Sequence, residues 1–116
     1  MKTKKISFGF KKKKFNFTSR VCGVFSSGLM LRTRRTLPCL FEFQRPTKFK
    51  ITSLFVFFPF LAVWLDSKNK VVDFKVVWPF TFEVSPIKPF LKLLEVPITD
   101  ENMKILELLV AGERFK

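Results

Sequence analysis

Ala62-Val63-Trp64-Leu65-Asp66, Ser67-Lys68-Asn69-Lys70 and Val71-Val72-Asp73-Phe74-Lys75-Val76-Val77-Trp78 read as a strand, a turn and a second strand. Upstream, residues 54–65 form a twelve-residue apolar run interrupted by Pro59. Its β-branched and aromatic content favours strand, and Pro59 disfavours an unbroken helix. Asn69 tolerates the positive φ that a tight connection demands. A continuous apolar run followed by alternating Val72, Phe74 and Val76 predicts a central strand beside a more exposed one.

The same period-2 pattern extends toward the N-terminus. Ile6, Phe8 and Phe10 alternate with Lys5, Ser7 and Gly9, and Phe15 and Phe17 alternate with Asn16 and Thr18. Lys11 to Lys14 lie between them, so the two strands predict a hairpin with a basic tip. Leu40, Glu42 and Gln44 alternate with Phe41 and Phe43, and Arg45-Pro46-Thr47 is a turn signal. Phe49, Ile51 and Ser53 begin a further strand. Pro79, Pro86 and Pro89 punctuate a long loop in which Phe80, Phe82 and Val84 hint at a short edge strand.

Leu91, Leu93, Leu94 and Val96 form one more strand. Thr99 is a good helix N-cap, followed by Asp100 and Glu101 at the positive end of the dipole. Ile98 and Met103 make a hydrophobic staple, and Leu106, Leu109 and Val110 continue that face to a Gly112 terminator. The expectation is a single domain over 1–116, mainly β. It is a barrel-like antiparallel or mixed sheet of about seven to nine short strands with one C-terminal helix at about 99–110. A final short strand over 113–116 is also expected.

The composition narrows the chemistry. Phe accounts for 17 residues, Trp for 2, and Tyr and His are absent. Phe carries no polar handle, so these rings belong first to a core. The missing His removes the commonest general acid–base and a frequent metal ligand. There is no Ser-His or Cys-His partner, Gly-rich phosphate loop or metal-spaced cluster, so neither a catalytic residue nor a cofactor or metal is expected. A carboxylate pair drawn from Asp66, Asp73, Glu83 and Glu95 is the minor alternative. Cys22 and Cys39 match no CxxC spacing; they read as small buried hydrophobes, with a disulfide as the alternative.

Net charge is +13, and residues 1–50 hold 14 Lys/Arg against one acid, Glu42. Residues 51–116 balance at 8 basic and 8 acidic residues. Such a field attracts anions, while a Lys-rich, thermophile-like and archaeal-like composition gives the simpler reading of solubility. The basic start lacks a signal-peptide apolar region, and the run at 54–65 is shorter than the roughly twenty residues of a spanning helix. Both observations point to a cytoplasmic protein.

Gly28-Leu29-Met30-Leu31-Arg32, the Leu40-Phe41-Glu42-Phe43 strand and the segment Ile51 to Asp66 together resemble a small prokaryotic family known as domain of unknown function 192 (uncharacterised protein family 0127). The resemblance covers about residues 16–116, leaving 1–15 as a basic strand and turn. It implies a fold and no activity. The matching positions are structural in character: Gly28, Leu29, Met30, Pro59, Trp64, Asp66 and Glu95, the last within Leu93-Leu94-Glu95-Val96-Pro97. Three polar positions depart. Thr52 stands where the family has His, Phe57 where it has Arg, and Leu61 where it has Asp.

The functional expectation is therefore a binding module with a basic surface for an anionic partner, such as nucleic acid or an acidic surface. Its candidate contacts are Lys11, Lys12, Lys13, Lys14, Arg32, Arg34 and Arg35. Two rivals stand beside it: a small-molecule pocket or enzyme at the mouth of the barrel, and a membrane-surface protein exposing Phe55 to Phe60. Burial of Phe57, Phe58 and Phe60 together removes the last.

Overall fold

A computed structural model describes residues 3–10, 13–22, 37–48, 50–51, 56–81 and 83–99. Six strands are present among them: β1 (Thr3–Phe10), β2 (Lys13–Cys22), β3 (Cys39–Thr47), β4 (Phe60–Leu65), β5 (Val71–Val77) and β6 (Phe90–Pro97). They form one mixed sheet in the order β1-β2-β3-β6-β4-β5. All neighbours are antiparallel except β2 and β3.

Each strand follows from its side-chain alternation. In the β1–β2 hairpin, Ile6 faces Phe17 and Phe8 faces Phe15. The Phe8 ring stacks on Phe15 at 5.4 Å and on Phe17 at 6.0 Å. β4 has β6 and β5 along its edges and is buried on both faces because an apolar cluster packs against each. Its Phe60, Ala62 and Trp64 enter one core cluster, while Leu61, Val63 and Leu65 enter the other.

The sheet curls until its two edges meet. Gly9 of β1 bridges to Lys70 just before β5. Phe10 and Phe74 make an edge-to-face contact at 5.3 Å. Residues of both edge strands, Ile6 and Phe8 with Val71, Phe74 and Val76, share one apolar cluster. Closing the edges hides backbone groups that would otherwise invite pairing with other chains. The second cluster covers the opposite face and draws Ile51, Val56 and Phe58 onto Trp64, Phe90 and Leu93.

Of the two short strands expected near Ile51 and Val84, the described residues show one bridge, Ile51 to Val84, with reciprocal backbone hydrogen bonds of 2.9 and 2.8 Å, while residues 49, 52–55 and 82 lie outside them. The prolines at 79, 86 and 89 have no N–H to extend that ladder. The count is consequently six strands rather than seven to nine among the described residues. These residues contain no helix. The expected helix at 99–110 and final strand at 113–116 lie outside them, apart from Thr99. No helix among the described residues is long and apolar enough to cross a membrane.

Candidate anion-binding cleft

The seam where the sheet edges meet leaves a cleft of about 660 Å³. Ser7 to Phe10 line one side with Lys13 and Lys14, and Lys68 to Val71 line the other. Two features of the sequence build it. The β1–β2 hairpin carries Lys13 and Lys14 at the start of β2, exposed. The β4–β5 turn carries Lys68 and Lys70, also exposed.

Asp66 shapes that turn. Its Oδ1 accepts hydrogen bonds from the Lys68 N–H at 2.8 Å and the Lys70 N–H at 2.9 Å. Its backbone carbonyl accepts from the Asn69 N–H at 3.1 Å. Asn69 adopts φ 59°, the left-handed conformation expected of it, and its Oδ1 accepts from Lys92 Nζ at 2.7 Å. Asp66 is thus spent on backbone amides. Among the described residues that line the cleft there is no carboxylate, and the Lys4–Glu42 and Lys50–Glu83 ion pairs lie elsewhere. Lys13, Lys14, Lys68 and Lys70 line the cleft together with the apolar Phe8, Phe10 and Val71.

Of the predicted anion contacts, Lys13 and Lys14 reach this cleft. Lys11, Lys12, Arg32, Arg34 and Arg35 lie outside the described residues, as do Gly28, Leu29 and Met30. Sequence reading missed Lys68 and Lys70, which belong to the charge-balanced half of the chain. Their only signal was the Asp66-to-Lys70 turn itself, and its closeness to Lys13 depends on closure of the sheet.

The four candidate carboxylates do not share a site. Asp66 holds its turn. Asp73 accepts from the Phe74 N–H through Oδ1 at 2.8 Å and from the Ile87 N–H through Oδ2 at 3.1 Å. Glu83 pairs with Lys50. Glu95 is buried in β6, in register with Cys39 on one side and Ala62 on the other. Cys39 is in turn in register with Arg20, which is also buried. Burial pushes the Glu95 carboxyl up to about 8, against the lowering effect of the Arg20 guanidinium.

The cysteines are not two separate hydrophobes. Cys22 and Cys39 form a disulfide between β2 and β3, with Cα atoms 6.1 Å apart. Trp64 is fully buried, as its place in an apolar strand implies, and contacts Phe90 edge-to-face at 6.3 Å. Its indole N–H has no hydrogen-bond partner. The Pro59 carbonyl accepts from the Ile98 N–H at 3.1 Å, tying the entrance of β4 to the exit of β6. Among the described residues, no group of three or more Cys, Asp or Glu is placed to hold a metal ion.

No family model matches the chain, and no curated protein matches it. Its fold is similar to two solved structures. One is a protein of unknown function from Novosphingobium aromaticivorans, at TM-score 0.74 and 15% identity, covering 88% of this chain and 77% of that one. The other is a candidate transcription regulator from Sinorhizobium meliloti, at TM-score 0.66 and 16% identity, covering 78% and 76%. At such identities the likeness shows the fold alone.

Proposed function

We propose that this protein is a non-catalytic binding module whose lysine-lined cleft takes a phosphate-bearing anion. One observation carries the reading: Lys13, Lys14, Lys68 and Lys70 arrive from two sheet edges around one cleft that, among the described residues, no carboxylate lines. Like charges brought together repel, and an anion relieves that repulsion. Asp66, the nearest acid in sequence to Lys68, is directed at backbone amides instead. The net charge of +13 adds a long-range attraction that steers polyanions toward the surface. A nucleic acid is one such polyanion, and the candidate transcription regulator of similar fold speaks for including it among the ligands tested.

The family resemblance to domain of unknown function 192 supplies no chemistry that competes with this reading. The dispersal of Asp66, Asp73, Glu83 and Glu95, and a chain without His, support binding over turnover.

Isothermal titration with inorganic tripolyphosphate, and separately with a single-stranded oligonucleotide, tests the proposal. Binding should weaken with added salt, and Lys13→Gln/Lys14→Gln/Lys68→Gln/Lys70→Gln should abolish it with the fold intact. Undiminished binding by that variant, or none by the parent protein at low salt, overturns the proposal.

A further inference from the structure

Phe57, Trp78 and Phe80 are 59%, 65% and 61% exposed, while their neighbours Phe58 and Phe60 are buried. Phe57 and Phe80 touch edge-to-face, with ring centroids 5.7 Å apart. Trp78-Pro79-Phe80-Thr81 is a tight turn in which Thr81 Oγ1 donates to the Trp78 carbonyl at 2.7 Å. Phe80 has φ 63°. A bulky residue there is an outlier, and the left-handed conformation costs it roughly 1–2 kcal/mol. Both that backbone cost and the ring's exposure oppose Phe80 as a choice made for stability, since Gly would fit better and expose less apolar surface.

We infer that Phe57, Trp78 and Phe80 form a docking tip that inserts into an acidic lipid surface. Rings carried on a turn can enter the headgroup region without unfolding the sheet, and Trp favours that interface. The complementary charge is the chain's own excess of +13, which draws it to an acidic leaflet. Glu83, the acid nearest the turn in sequence, is paired with Lys50, so it opposes the approach weakly. A protein partner is disfavoured by size. Three rings of about 150–250 Å² each, already partly covered, fall short of the roughly 800 Å² a stable interface buries per side. A single-stranded nucleic acid would need cations beside the rings. Lys50 is paired with Glu83 while Lys75 Nζ keeps its charge against the neutral Ser85 carbonyl at 2.7 Å, so an oligonucleotide is included as a separate arm of the test. The tip is independent of the cleft. Val71 lines the cleft, Trp78 follows the far end of β5, and a strand of seven residues spans about 20 Å.

The two tryptophans make the test direct, because Trp64 is fully buried and Trp78 is the one that reports on solvent. Emission is recorded as the full chain is titrated with vesicles of phosphatidylcholine alone, or with about one-third phosphatidylserine, an acidic lipid of the kind that carries the surface potential. A blue shift and protection from acrylamide are expected with the acidic vesicles, weakening with salt. Co-sedimentation of Phe80→Gly and Phe57→Ser should fall by about tenfold, since affinity follows the apolar area inserted. Phe80→Gly should melt no lower than the parent protein, separating lost docking from lost folding. Lys13→Gln/Lys68→Gln, which weakens the cleft, should keep the blue shift. No response to acidic vesicles, sedimentation indifferent to Phe80→Gly, or a response to oligonucleotide in place of lipid overturns the inference.

Discussion

Gly9 and Lys70, sixty-one positions apart in sequence, are bridged across the seam between the first and last strands of the sheet. This contact makes the candidate site, because it sets the Lys13–Lys14 pair beside the Lys68–Lys70 turn. An open sheet of the same six strands would leave the two lysine pairs on opposite edges. Their mutual repulsion opposes closure, and the apolar cluster shared by β1, β2 and β5 holds it.

The cleft should therefore stabilise the fold when filled. Tripolyphosphate is expected to raise the melting temperature of the parent protein at low salt, by mass action on the native state. Scanning calorimetry at two salt concentrations checks this. The quadruple glutamine variant should melt at least as high as the unliganded parent protein and respond to no anion, since it has lost both the repulsion and the site.

Asn69 should be hard to replace. Asn69→Ala places a Cβ-bearing residue without a helpful side chain at φ 59° and removes the partner of Lys92. A loss of about 1–2 kcal/mol is expected from denaturant unfolding, with a smaller loss for Asn69→Gly. Asp66→Ala should cost at least as much, because two backbone N–H groups lose one acceptor.

Glu95 should make stability fall as pH rises. Its folded-state pKa of about 8 stands above the ordinary 4.5, so the native state holds a proton that the unfolded chain releases. The stabilisation is fully present below about pH 4.5, declines through the window up to about 8, and is lost above it. Glu95→Gln, neutral throughout, should flatten that slope and be the more stable protein at pH 8. Urea unfolding at four pH values checks the sign. A slope unchanged in Glu95→Gln would place the proton elsewhere.

The disulfide should contribute about 3 kcal/mol, the entropy of closing a loop of this size in the unfolded chain. Cys22 and Cys39 are 17 positions apart. Cys22→Ser/Cys39→Ser, or reduction of the parent protein, should lower stability by about that amount in chemical denaturation. A bond that persists is at home in oxidising surroundings, so its redox state in cells bears on the expected cytoplasmic location. Alkylation trapping of the thiols in intact cells measures it.

Local pattern determined most of the strands. Alternation in Ile6 to Phe10, Phe15 to Ser19 and Leu40 to Gln44 identified β1, β2 and β3, because a pleated strand sends successive side chains to opposite faces. The continuous apolar stretch from Phe60 to Leu65 marked β4 as central, since only a strand covered on both faces can be apolar on both. The turn at Asn69 was legible because few residues accept a positive φ. What sequence separation hides was decided by tertiary structure. The Cys22–Cys39 bond depends on how β2 and β3 lie side by side, and their parallel register carries no local signature. Of the four phenylalanines at 57, 58, 60 and 80, two are buried and two exposed, because Pro59 and the strained turn at Phe80 set which way each ring turns. Lys68 and Lys70 became site residues through closure alone. Charge counted along the chain assigned the basic surface to the first fifty residues, whereas an electrostatic field depends on distances in space.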